Sequence, residues 1–347
     1  MYPDVVTDRK NSDVSEPLTA QQAEVLDKLL NPAGSLFRVG GRIAKAEATL
    51  AGAPLIEGKS GNTILITKEG GEYASLQDAI DAAVPGDVIV VGAGNWGDVV
   101  LKGGVSLMGL QPPKALQVVL SSLTFAPDEG DTAADNTVYV SNLLISGGGN
   151  DTLLELGGND PIRAYFSGVR VYRDEAPATT AMVVCAGDDA TSTIEFENCL
   201  FTHEGGQVAS ALTLLSTSVR YLNLVDCSFA NGGRSLDVTG GDLVVAATTR
   251  FETGSTVAAL RVGASCTLSL GSCLVTNSGT NCSGVELVAG TSTLVASNTG
   301  FNVAAGTGKA VLATAGGTFL KGNVVANFGS NSSVSGGVTQ VPLTAVS

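Results

Sequence analysis

The sequence is poor in charge, in rings and in histidine. Charged residues make up 15% of 347, and aromatics make up 5%, where an ordinary soluble domain carries roughly 25% charged residues. There is one histidine and one tryptophan. Lysine and arginine number 19 against 33 aspartate and glutamate, for a net charge of -14. That balance excludes binding driven by phosphate neutralisation, which needs clustered basic residues, so nucleic acid is not an expected partner. No apolar run approaches the roughly 18 residues of a membrane span, so no membrane is expected either. Yet the mean hydropathy is +0.27, too apolar for a disordered chain. The apolar content comes from small and β-branched residues. Glycine, at 44 residues, is about twice its usual frequency but lacks the every-third period of collagen.

Charge divides the chain. Residues 1–60 carry 7 basic and 8 acidic residues, and residues 61–347 carry 12 and 25. Met1 to Ser15 is polar and lacks the apolar core of an export signal, so the six cysteines are expected to be reduced. Leu18 to Asn31 reads as a helix, with Thr19 and Gln22 at capping-box positions and Leu26, Leu29 and Leu30 on one stripe. Residues 1–60 therefore read as a docking arm or linker with short helices, and residues 61–347 as a separate body.

The body repeats. Phe196-Glu-Asn198-Cys199-Leu-Phe201 is echoed by Leu224-Val-Asp226-Cys227-Ser-Phe229 and, less closely, by copies on both sides. The residue after the polar position falls at 143, 169, 199, 227, 249, 273, 299 and 324, a mean step of about 26. A period in this range means stacked supersecondary units. Each unit is a set of short apolar alternations split by Gly, Asn, Asp and Ser, which is strand and turn chemistry. Leucine-rich repeats need regular leucines that are missing, and propeller blades are longer. A parallel β-solenoid of roughly ten coils remains. Its turn column reads Asn142, Gly168, Asn198, Asp226, Thr248, Ser272, Asn298 and Asn323. Asn tolerates the left-handed conformation of a tight bend, and stacked amides can bond along the axis. The following column, with Cys199, Cys227 and Cys273, suits an inward stack of small residues, in a barrel expected to leave little room for rings.

The stretch from Tyr73 to Val91 resembles the opening of pectin-lyase-like right-handed parallel β-helices, in which a short amphipathic helix caps the first coil. Ser75 would be its N-cap, Leu76 and Ile80 would cover the barrel end over helix 75–83, and Pro85-Gly86-Asp87 would turn into the first strand. The resemblance spans roughly residues 62–340. It implies an all-β, right-handed parallel β-helix and says nothing of activity.

Glycoside hydrolysis on such a scaffold needs two placed carboxylates, and Asp188-Asp189 is the candidate pair. The polygalacturonase-like members add Gly-His-Gly and Arg-Ile-Lys sets. Here only the Asp-Asp part is matched, and His203 lacks the flanking glycine. Arg170 and Arg173 beside Asp174 read as a surface ion pair of little energetic weight. The Asp128-Glu129-Gly130-Asp131 run offers oxygen ligands for calcium but not a full loop. No cofactor is implied. Trp96 reads as a coil-corner packing residue.

The resulting expectation is a non-catalytic protein, similar to the β-helical surface proteins of tailed bacteriophages: a capsid decoration, tail fibre or spike. It would be a homotrimer docked on the virion through its N-terminal segment, with host surface polysaccharide as a further partner. The alternatives are a polysaccharide hydrolase or lyase using Asp188 and Asp189, and a bacterial surface adhesin.

Overall fold

The structure is a computed structural model. It describes residues 62–342 except 69–72, 111–117, 128–135, 150, 159–160, 175–179, 188–191, 205–211, 218, 241–242, 305–308, 328–333 and 336–337. Chain contacts separate residues 1–57 from residues 58–347, and every described residue lies in the second unit. Leu26, Leu29 and Leu30 therefore lie outside the described residues, as do Asp188, Asp189 and the Asp128–Asp131 run.

The second unit is an all-β parallel solenoid. Its described strands form three sheets of 12, 10 and 10 strands, and from Val88–Val91 onward consecutive strands go to different sheets. One coil runs from Thr137–Ser141 on the first sheet to Leu144–Gly147 on the second, then Leu154–Gly158 on the third, and returns to the first at Arg163–Ser167. Pairing is parallel throughout and keeps one register over long stretches. Apolar alternation puts one set of side chains inside. In Thr193–Glu197, for example, Ile194 and Phe196 are buried while the three residues between and beside them are half-exposed.

The bend between the first and second sheets is left-handed in every described coil from 142 onward. Asn142, Asn198, Asp226, Thr248, Ser272, Asn298 and Asn323 have φ between 48° and 56°, and Gly168 has 66°. The backbone carries this column. Asn142 N–H donates to Ser167 O at 3.1 Å, Asn198 N–H to Val225 O at 3.0 Å, and Asn298 N–H to Gly322 O at 3.1 Å. Side chains add bonds at particular steps: Asn323 Nδ2 donates to Asn298 Oδ1 at 2.6 Å, and the Thr248 hydroxyl donates to Asp226.

The next column explains why cysteine and threonine alternate there. Cys227 Sγ lies 3.4 Å from Phe196 O, Thr249 Oγ1 3.2 Å from Leu224 O, Cys273 Sγ 3.3 Å from Ala246 O, and Thr299 Oγ1 3.3 Å from Leu270 O. Thiol and hydroxyl are both small donors, and each meets a carbonyl of the preceding coil. All six cysteines are free and buried. Burial pushes the thiols of Cys185, Cys199 and Cys273 up, and the neighbouring Cys227 adds to the effect at Cys199.

The expectation of a ring-poor interior is corrected. Phe125, Phe166, Phe196, Phe201, Phe229, Phe251 and Phe301 are among the largest fully buried side chains. Phe166 stacks on Phe196 at 4.9 Å, and Phe201, Phe229 and Phe251 stack in succession at 4.5 and 5.0 Å. Phe196 meets Phe201 edge-on at 5.3 Å, joining the two columns. The rings are few but gathered by register into neighbouring coils, with aliphatic residues such as Leu224 and Val275 taking the same positions elsewhere.

The helix Leu76–Ala82 buries Leu76, Ala79 and Ile80, and Ser75 Oγ accepts from Asp78 N–H. The Asp87 carboxylate accepts from Asn62 N–H at 2.8 Å and Val84 N–H at 2.9 Å. Gly86, at φ 105°, makes the turn that no L side chain would favour. Gln77 supplies a contact that the sequence pattern did not suggest. Its side-chain amide accepts from Val100 N–H at 2.9 Å and donates to Val100 O at 3.1 Å, pairing with the first strand of the third sheet, Asp98–Val100. No described helix is long and apolar enough to cross a membrane.

Two outcomes follow. Asn298→Ala should lower stability by about 1 kcal/mol, since it removes the acceptor of the Asn323 bond and the short polar side chain that eases the left-handed bend, and Asn298→Gly by less, since glycine has no Cβ there; urea midpoints of the two variants check this. A thiol reagent at pH 8 should modify none of the six cysteines in the folded chain and all six in denaturant; rapid labelling of the folded protein would contradict the buried placement.

Candidate functional site

A solenoid makes sites from residues one period apart, because register stacks them. On the third sheet, Thr124, Glu155, Val184, Leu215, Asp237, Arg261, Glu286 and Leu312 are successive register partners. Their inward neighbours, among them Leu214, Leu236, Leu260, Val285 and Val311, are fully buried, so this column faces outward. Its middle is charged and its flanks are apolar.

Three adjacent strands supply the charge: Arg234–Val238, Leu260–Val262 and Ser283–Leu287. Arg234 Nη1 lies 2.9 Å from Asp237 Oδ2, and Arg234 Nη2 lies 3.5 Å from Glu286 Oε2. Arg234 Nε donates to Ala258 O at 3.3 Å, which fixes the plane of the guanidinium. Arg261 Nη1 reaches the same Asp237 Oδ2 at 3.3 Å. Asp237 is thus held between two guanidiniums, and its side chain is 8% exposed, against 37% for Arg261 and 22% for Glu286. The second oxygen, Asp237 Oδ1, is buried and has no hydrogen-bond partner. A buried acceptor left without a donor costs about 1–3 kcal/mol.

The arrangement offers defined chemistry. Asp237 and Glu286 stand on strands two apart, with roughly 10 Å between their backbones, and one guanidinium bridges them. The Arg234 guanidinium thus fills the gap where the wider of the two glycosidase geometries places a water. Arg261, half-exposed beside them, has free N–H groups for a sugar oxygen.

Of the residues singled out from sequence, only some are described. Asp188 and Asp189 are outside the described residues. His203 is buried at the end of Leu200–His203, in register with Arg173. Arg173 is not a surface ion pair with Asp174. It is fully buried, and its guanidinium donates to Thr180 O at 3.1 Å and to Asp151 O. Burial pulls its pKa down. Trp96 is half-buried against the core, its Nε1–H donates to Gly92 O, and Lys68 sits over its ring at 4.2 Å. Sequence reasoning missed Arg234, Asp237, Arg261 and Glu286. The signal was available, since the last three are separated by 24 and 25 residues, one period each.

No protein-family model and no curated protein matches the sequence. Solved structures similar to the chain include three that act on polysaccharides. One is an alginate lyase from Paenibacillus sp. str. FPU-7, at 12% identity and a TM-score of 0.43, covering 80% of this chain and 99% of that one. Another is the catalytic domain of a GH87 α-1,3-glucanase, at 12% and 0.40, covering 82% and 70%. The third is a tailspike protein from Acinetobacter baumannii bacteriophage Fri1, a capsular polysaccharide depolymerase, at 12% and 0.35, covering 82% and 64%. The expectation that the chain is not an enzyme is corrected by this set, which consists mostly of polysaccharide-processing enzymes. The roles of individual residues rest on the geometry above.

Asp237→Asn should destabilise the fold by about 3 kcal/mol, because it leaves two guanidiniums facing each other without their shared anion. Thermal unfolding of the variant beside Arg261→Gln, which removes only one cation, should show the larger loss for Asp237→Asn.

Proposed function

We propose that the solenoid is a polysaccharide-processing protein that holds a glycan along the outward face of its third sheet and hydrolyses it at Asp237 and Glu286. The observation that carries this reading is the single guanidinium of Arg234 bridging two carboxylates on strands two coils apart. Once the glycan displaces Arg234, Asp237, still beside the Arg261 guanidinium, takes the proton of the attacking water, and Glu286, protonated on losing its cation, delivers a proton to the leaving oxygen as the glycosidic bond breaks. Val184 and Leu215 on one side and Leu312 on the other give the sugar ring faces an apolar bed.

The setting we propose is the tail of a bacteriophage, as a spike or fibre, with residues 1–60 as the docking arm and a homotrimer as the assembly. Its support is the sequence resemblance to β-helical virion proteins and the stiffness that continuous parallel sheets confer.

Glu286→Gln keeps the side chain's shape and removes its proton chemistry. With a polysaccharide panel and a reducing-end assay, wild-type protein should release oligosaccharides, and the variant should lose at least about 100-fold in rate, the low end for general acid catalysis. Its circular dichroism should be unchanged. Full activity in Glu286→Gln would move the chemistry off this face.

A further inference from the structure

We infer that the glycan processed on this face is neutral, a chain of hydroxyl-bearing sugars without carboxylate or sulfate groups. The inference rests on the functional reading above and adds the substrate class to it.

The face carries no surplus of cations. The described strands of the third sheet carry Arg234, Arg261 and Lys309 against Asp98, Glu155, Asp237 and Glu286. Arg234 spends its guanidinium on Asp237, Glu286 and a backbone carbonyl, and Arg261 is shared with Asp237. Lys309 is the one further cation on these described strands, and together with the N–H groups Arg261 does not use on Asp237 it falls short of one cation per acidic sugar. The body as a whole opposes a polyanion, with 12 basic and 25 acidic residues over 61–347; like charge slows encounter and weakens binding, most strongly at low salt.

Hydrogen-bond inventory points the same way. Asp237 Oδ2 accepts from Arg261 Nη1 at 3.3 Å. An ionised carboxylate on a substrate is acceptor-only and cannot stand in for that donor, whereas a sugar hydroxyl donates to Asp237 and accepts in return from a guanidinium. When Arg261, the more exposed of the two arginines, turns aside, a hydroxyl takes its place on Asp237. The exchange leaves the charge of the site unchanged, which an acidic group entering there would not.

The test uses the full chain on matched polymers: dextran, mannan and galactan as neutral probes, and alginate, polygalacturonate and hyaluronan as acidic ones. Binding by affinity electrophoresis and reducing-end release are followed at low and at physiological salt. Binding and release are expected with at least one neutral polymer and with no acidic one, and the rate should change less than about twofold with salt, as for an uncharged ligand. Cleavage of an acidic polymer while the neutral ones stay inert overturns the neutral substrate and leaves polysaccharide processing standing. Binding and release with no polymer of either kind overturn both.

Discussion

The structure depends on parallel, in-register backbone hydrogen bonding. Strands one coil apart lie about 4.8 Å from each other, and register holds from Arg163 through Gly322 on the first sheet. Whatever side chain stands at one position has its counterpart directly above it. A residue type is therefore selected for how it stacks on its own kind as much as for how it packs inward. Rings stack on rings, as in Phe201, Phe229 and Phe251. Left-handed bends stack on left-handed bends, because the N–H at a bend in one coil donates to a carbonyl of the next. Like charges are what such a column tolerates worst, and the third sheet alternates Asp237, Arg261 and Glu286.

The same constraint decides what was legible in the sequence. The turns were readable because few residue types accept a positive φ, so Asn, Asp, Gly, Ser and Thr recur at one phase. The cap was readable because an amphipathic helix followed by Pro85-Gly86-Asp87 is a local pattern. The phenylalanine columns were hidden by an average: a 5% aromatic content hides rings concentrated at two phases of the repeat. The candidate site was missed for a related reason. Adjacent residues stand out in a linear string, but along a strand neighbours in sequence point to opposite faces, and neighbours in space are a period apart. Arg234 is harder still to find, since it reaches Glu286 across two strands by the length of its own stem.

The cluster also shows how a rod made of small side chains can hold an electrostatic site. The sheet beneath is rigid and apolar, with Leu236, Leu260 and Val285 fully buried, so the charged groups above it have a fixed base. Arginine suits this use because its planar fork can meet carboxylates on different strands at once, where lysine offers a point charge. Holding Asp237 dry and doubly bridged costs desolvation, and its unmet oxygen adds to that cost.

Gln77 carries a consequence of another kind. The strand Asp98–Val100 opens the third sheet, and a bare strand edge is a template on which any extended peptide can build. The side-chain amide of Gln77 has the same donor and acceptor as a peptide unit and occupies both groups of Val100. One residue thus counterfeits the next rung of the ladder and goes no further, because an amide at the end of a side chain has no chain beyond it to extend. A fold that propagates by copying itself is ended at this corner by a false copy.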